Sequence, residues 1–174
     1  MASDELTRIA DHLAIQRVLY LYARGIDRCD ADVLADVWWP GCSVDYGSGE
    51  EDAHEWSRNV VEALRGMLRT QHMLGNMLIN IVGATAEAET YCHAYHEVAG
   101  ENGPFEMDVG GRYLDCLEKR DGQWRIADRR YVLDWNSNRP STALWAEGMY
   151  AGLARRGARK PDDPSYDDPS DNGR

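Results

Sequence analysis

Hydrophobic residues in the first quarter of the chain recur at helical spacing. Ile15, Val18, Leu19, Tyr22 and Ile26 form one stripe, which predicts a helix over residues 4–27 with Gly25 weakening its last turn and Asp27 ending it. Asp30 is placed to cap a short second helix, ADVLADVWW, which the Pro40-Gly41 step breaks. CSVDYG reads as a short strand. Residues 50–68 form a third helix with Trp56, Val60, Leu64 and Met67 on one face. From residue 69 the period changes to that of strands. Four runs follow, 69–82, 85–98, 105–119 and 123–135, joined by Gly83-Ala84, GENGP and Arg120-Asp121-Gly122. Tight links, one of them Asp-Gly, predict an antiparallel meander. STALWAEGMYAGLARR predicts a C-terminal helix from Ser141. The polar, proline-rich residues 157–174 read as a loose tail. Helices first and sheet second imply an α+β domain over residues 1–156, with the helices on one face.

The strand AEAETYCHAYHEV sorts cleanly by alternation. Ala86, Ala88, Thr90, Cys92, Ala94 and His96 share one face; Glu87, Glu89, Tyr91, His93, Tyr95 and Glu97 share the other. The first set is small and mostly apolar. It belongs on a concave inner face with room for a ligand, so His96 points inward and His93 outward. For the same reason His93 and His96 cannot hold one metal ion without a bulge, and no metal is expected.

Composition narrows the partners. The 174 residues suit one domain with its own core, and a net charge of −11 disfavours phosphate backbones and anionic membranes. The twenty residues 155–174 hold equal numbers of basic and acidic side chains, so the excess lies in the folded part. Cys29, Cys42, Cys92 and Cys116 form no CxxC pair or zinc spacing, and the acidic start MASDELTRIADHL has no signal-peptide core. Reduced thiols and a cytoplasmic protein are expected.

Three polar residues stand in otherwise apolar stretches: Tyr22 and Asp27 at the end of the first helix, and His72 at the start of the first long strand. An aspartate at a helix C-terminus opposes the helix dipole and needs another reason to be there. A histidine paired with a carboxylate makes an oriented general base, and a nearby phenol can donate a proton or hold an oxyanion, so an elimination needs no cofactor. Tyr22 also fits a core tyrosine with a satisfied hydroxyl. Arg129 and Arg130 are adjacent, so one faces inward and requires an anionic partner or ligand. Trp38, Trp39, Trp135 and the methionines near His72 could wall a site for a ring-bearing substrate or simply fill the core. Trp39, Asn76, Cys92, Tyr113 and Trp135 are the candidates for substrate contact.

The blocks AIQRVLYLYARGIDRCDADVLADVWWPGCSVDYG and GGRYLDCLEKRDGQWRIADRR resemble the SnoaL-like superfamily, which shares the cone-shaped fold of nuclear transport factor two. The resemblance spans about residues 5–136. It implies a cone-shaped α+β barrel whose three N-terminal helices pack on a strongly curved, mainly antiparallel sheet. Scytalone dehydratase, bile-acid 7α-dehydratase and hexachlorocyclohexane dehydrochlorinase are cofactor-free lyases of this superfamily. Their pattern of an aspartate ending the first helix and a histidine opening the strand after the third falls on Asp27 and His72. The bile-acid enzyme implies a catalytic role for Tyr22, scytalone dehydratase for His96, and the dehydrochlorinase for Arg129. The resemblance thus implies a lyase that removes water, halide or a small carbonyl fragment from a small aromatic or steroid-like compound, as in aromatic catabolism. It also implies a homo-oligomer, a trimer before a dimer. Ring cyclases, carbon–carbon lyases, dioxygenase small subunits and non-catalytic binding modules share the fold. The bile-acid enzyme's strand aspartate is replaced here, near Ala94 or Tyr95, so its substrate does not carry over.

Overall fold

The computed structural model describes residues 2–167. Its elements are α1 (Ala2–Arg28), α2 (Ala31–Val37), β1 (Trp38–Asp45), β2 (Glu50–Asp52), α3 (Ala53–Arg65), β3 (Arg69–Val82), β4 (Thr85–Val98), β5 (Phe105–Arg120) and β6 (Gln123–Pro140). The strands form one mixed sheet in the order β2-β1-β6-β5-β4-β3, which stays open. β3 to β6 are the expected antiparallel meander, and only the β1–β6 pairing is parallel. Register shifts at Leu74/Met77, Gly110/Gly111 and Cys116/Leu117 are bulges, and bulges bend strands. The helices cover the concave side.

The stripe on α1 is the center of the core: Ile15, Leu19, Tyr22 and Ile26 are all buried. Its first turns project, leaving Leu6, Ile9 and Leu13 exposed. α1 ends as Cys29 adopts a left-handed φ of 49° and Asp30 N–H bonds back to the Gly25 carbonyl at 2.9 Å. Asp30 then caps α2 through the N–H groups of Asp32 and Val33. Gly25 lets the two helices meet, since a Cβ there would lie 2.8 Å from the Leu34 side chain.

Three expectations need correction. The second helix stops at Val37, not Trp39, because the residue before a proline avoids helical φ/ψ and Trp38 is drawn inward, donating its indole N–H to Ser57 at 2.9 Å. The Pro40-Gly41 step therefore forms a bulge inside β1. β6 runs on to Pro140, and the predicted C-terminal helix is irregular chain with one 3-10 turn, Gly148–Gly152. Leu144, Met149, Tyr150 and Leu153 all remain exposed there, so no apolar face is buried to sustain a helix, and Gly148 takes a positive φ of 56°. Residues 158–167 of the expected loose tail pack against the ends of α1 and α3. The remainder of that tail lies outside the described residues. No described helix is long and apolar enough to cross a membrane.

Candidate active site

β3 is an edge strand, so half of its backbone N–H groups lack a sheet partner. Asp27, in the last turn of α1, fills one of these gaps. Its Oδ2 accepts the His72 backbone N–H at 2.8 Å, and its Oδ1 pairs with His72 Nδ1, also at 2.8 Å. This two-point clamp explains an aspartate at a helix end where the dipole disfavours it. Burial pushes the Asp27 carboxyl up, but the hydrogen bonds and charge of His72 outweigh burial and hold it below its ordinary value. A carboxylate on Nδ1 favours the Nδ1–H tautomer, leaving Nε2 as the ring nitrogen able to take a proton.

His72 lines a cavity of about 330 Å³ between α1, α3 and the concave face of the sheet. His96, also on the wall, stands perpendicular to His72 with ring centroids 5.3 Å apart. Its Nδ1 is buried with no hydrogen-bond partner among the described residues. Burial, with His72 second, lowers the His96 pKa to about 4, so this imidazole is neutral near pH 7. The sign for stability follows. Between pH 6.5 and about 4 the unfolded chain protonates His96 and the folded protein does not, so stability falls as pH drops through that window. The full shift would correspond to about 3–4 kcal/mol at 1.36 kcal/mol per unit, and solvent screening of this half-buried ring makes the loss smaller. Urea titrations at pH 7 and pH 4.5 should show a smaller loss for His96→Gln than for wild type; equal losses would remove this histidine from the account.

The rest of the wall is aromatic. Tyr22 and Tyr46 share a short hydroxyl–hydroxyl hydrogen bond of 2.5 Å. Tyr46 stacks between Trp56 at 4.4 Å and Tyr131 at 5.2 Å, and Tyr113 meets Tyr22 edge-on at 5.5 Å. Two bonded hydroxyls carry two protons and consume one between them, so the pair keeps one O–H to offer a substrate. Burial raises the pKa of both phenols, so they are donors rather than bases. Larger recesses exist: one of about 630 Å³ lies between the start of α1 and β3, and one of about 420 Å³ lies against the other side of the pair, lined by Asp27 and His72 with Tyr20 and Arg24.

Five of the ten residues singled out in the sequence line this cavity, Tyr22, His72, His96, Cys92 and Tyr113, and a sixth, Asp27, stands behind its wall and reaches it through His72. Four do not. Arg129 is fully buried but does not line the cavity; Asp115 occupies it through a two-point ion pair at 2.6 and 2.9 Å. Its guanidinium lies 3.9 Å from the ring center of Tyr22 and 4.0 Å from that of Tyr113, so it supports the tyrosines from behind. Trp39 lies outside, its N–H on the Glu118 carbonyl and its ring beside Arg120 and Arg125. Asn76 is exposed at the β3 bulge. Trp135 lies past the β6 irregularity, half exposed beside His93 on the outer face. Sequence reasoning missed Tyr46 and Tyr131 as site residues, and placed Trp56 on the inner face of α3 without giving it a site role. Tyr131 was within reach, because alternation that turns Arg129 inward turns Tyr131 inward too. Gly111 clears its space: a Cβ there would lie 2.3 Å from the Tyr131 hydroxyl.

Among the described residues no group of three or more His, Cys, Asp or Glu is arranged to hold a metal ion, and His93 pairs instead with Asp108 at 3.1 Å. The four cysteines are unpaired. Burial pushes the Cys92 thiol in the cavity above its ordinary pKa, so it is no ready nucleophile.

The chain matches the SnoaL-like domain family over residues 7–130 and belongs to that family. Solved structures agree on the fold. A putative scytalone dehydratase from Novosphingobium aromaticivorans is 22% identical with a TM-score of 0.70, covering 83% of this chain and 95% of its own. A hexachlorocyclohexane dehydrochlorinase from Novosphingobium barchaimii is 18% identical with a TM-score of 0.72, covering 80% and 97%. A protein of unknown function from Mycobacterium tuberculosis is 24% identical with a TM-score of 0.65, covering 88% of both chains. No curated protein matches the chain.

Proposed function

We propose that this protein is a cofactor-independent lyase acting on a small ring-containing substrate. The observation that carries the reading is His72, held by Asp27, set in the wall of an aromatic cavity. His72 Nε2 takes a proton from a carbon next to an electron-withdrawing group, or from a phenol conjugated with the leaving group. Asp27 fixes the tautomer and stabilises the imidazolium. For water or halide, the electron pair released from the C–H or phenolic O–H bond builds the new double bond as the bond to the leaving group breaks; halide leaves with that bond's electrons, and a hydroxyl leaves as water with a proton from the Tyr22–Tyr46 pair, which regains it as His72 is reset. For a carbonyl fragment, His72 instead takes the proton of the carbinol O–H, whose electrons form the C=O of the fragment, while the pair of the broken C–C bond stays on the ring system as an enolate and is then protonated. The spare O–H of the Tyr22–Tyr46 pair hydrogen-bonds the oxyanion or the departing group. Neutral His96 supplies a second polar contact. A cavity of about 330 Å³ lies at the small end of the roughly 300–1,000 Å³ usual for ligand sites. It suits one or two rings better than a steroid skeleton. Membership of the SnoaL-like family, and a fold shared with a dehydrochlorinase and a putative dehydratase, support the same chemistry. A cytoplasmic homo-oligomer, a trimer first, completes the proposal; exposed Met73, Tyr91, Leu133 and Trp135 offer apolar surface for self-association.

Mass spectrometry tests the reading. A panel of small cyclic alcohols, halides and hydroxy-ketones is incubated with wild type and with His72→Gln. Loss of water, halide or formaldehyde mass with wild type alone is the expected result. Deuterium uptake from solvent without mass loss would instead mark an isomerase using the same base. No reaction across the panel, with ligands raising the melting temperature of both proteins, would identify a binding module.

A further inference from the structure

We propose that Arg159, well beyond the family-matched residues 7–130, is a positioning residue that aligns the Asp27–His72 pair. The proposal rests on the reading of that pair as the catalytic base. Arg159 donates from Nη1 to the backbone carbonyl of Asp27 at 2.5 Å and to the Thr70 hydroxyl at 2.6 Å, and from Nη2 to the Leu64 carbonyl at 3.1 Å. One planar guanidinium thus ties together the end of α1, the end of α3 and the start of β3. Asp27 itself is on the first of these elements. Thr70 is two residues before His72, on the same face of β3.

The bonding is chemically apt. The last carbonyls of a helix lack intrahelical partners and attract cations, and Arg159 serves the last turns of two helices at once. A rigid fork also sets angles as well as distances, which a lysine cannot do. The location matters because few other contacts span this junction: Arg65 on α3 reaches the Cys29 carbonyl at 3.2 Å, and Asp27 itself reaches the His72 N–H. α1 reverses at Cys29 directly after Asp27, and β3 is an edge strand. The two 2.8 Å bonds of the Asp27 clamp need α1 and β3 to keep one relative placement.

The surrounding segment is anchored independently of Arg159. Lys160 N–H bonds the Arg28 carbonyl at 2.8 Å, its ammonium reaches Asp30 and Asp32, the Tyr166 hydroxyl donates to Asp30 at 2.7 Å, and Asp163 pairs with Arg28 at 3.3 Å. Those contacts hold the segment to α1 and α2 only. Among these anchors, the bridge from α1 to β3 is made by Arg159. Loss of its side chain therefore leaves the segment docked and frees the junction.

The deciding readout is the tautomer of His72, followed by ¹⁵N NMR of the full chain, which needs no substrate. Wild type should hold His72 as the Nδ1–H form. Arg159→Met should move a substantial fraction to the Nε2–H form that free imidazole prefers, and Arg159→Lys, which keeps the charge and one donor, should fall between. Where turnover is measurable, Arg159→Met should lower kcat about 10- to 100-fold with KM within about two-fold, as expected for misplacement of a base by an ångström or less. An unchanged Nδ1–H form in the variants, with only a lower melting temperature, would make Arg159 a structural staple and overturn the proposal. If Arg159→Met does not fold, Arg159→Lys decides alone: a mixed tautomer supports positioning, and a wild-type tautomer overturns it. A tautomer shift in a protein without lyase activity would uphold the positioning role while the catalytic reading fails.

Discussion

Asp27→Asn should reduce turnover by about two to four orders of magnitude while leaving the fold intact. The carboxylate accepts two hydrogen bonds from one residue, the backbone N–H and the Nδ1–H of His72. An asparagine has one acceptor oxygen and one donor nitrogen. If the oxygen keeps the backbone N–H, the amide nitrogen faces Nδ1 and donates to it. The ring must then place its proton on Nε2, the nitrogen that has to be vacant to act as a base. The imidazolium formed during turnover also loses its counter-charge. Circular dichroism should be unchanged, kcat should collapse, and ¹⁵N shifts of His72 should report the Nε2–H form. Turnover within a few-fold of wild type would remove the dyad from the mechanism, even if His72→Gln were inactive.

Asp27 stood out by violating a local expectation, and the SnoaL-like pattern joined it to His72. Asp27 sat where the helix dipole disfavours a carboxylate, and His72 interrupted an apolar strand. Alternation then placed His96, Cys92 and the alanines of β4 on the cavity side, where the structure has them. Alternation failed where the strands themselves are irregular. The Gly110/Gly111 bulge separates Leu133 from Trp135 in register, and Trp135 emerges on the outer face. A period-two count has no means of detecting such a step in advance. Trp39 was misplaced for another reason: the sequence puts it at the end of a helix, whereas Trp38 opens β1 facing inward and ordinary alternation turns Trp39 outward against two arginines. The C-terminal half-turns were misread for a different reason. Residues 141–156 have helical spacing, but spacing predicts a helix only where a surface exists to bury its apolar side, and β6 occupies the chain up to Pro140 without leaving one. Residues 157–167 illustrate the reverse. Their composition matches a solvated tail, yet Arg159, Lys160 and Asp163 each find a specific partner on the helices, and such pairings have no periodic signature.

Asp115→Leu should cost about 3–5 kcal/mol of stability, the largest loss expected from any single change in the domain. The sequence required that an inward arginine find an anionic partner or a ligand, and register decides between them: Arg129 on β6 lies directly opposite Asp115 on β5. Both side chains are fully buried and bond through two parallel contacts. Burial works against the charge on Arg129, but Asp115 more than reverses that effect, so the guanidinium stays charged. Asp115→Leu strands this charge, and an arginine cannot escape by releasing its proton. Arg129→Met strands a carboxylate, which can take up a proton and become neutral. The aspartate variant should therefore be the more damaged of the two, and only Arg129→Met should regain stability relative to wild type as pH is lowered. The double variant, Asp115→Leu with Arg129→Met, removes both charges and should recover most of the loss, because the favourable Coulomb term of a buried pair largely offsets desolvation. Urea denaturation of the three variants supplies the cycle. A cost below about 1 kcal/mol for Asp115→Leu would mean that water reaches the pair, contrary to its complete burial. If the double variant is stable but its Tyr22–Tyr46 pair binds ligands more weakly, the ion pair is kept for the shape of the aromatic wall: Arg129 lies against the faces of Tyr22 and Tyr113, and no apolar side chain reproduces a cation beneath two phenols.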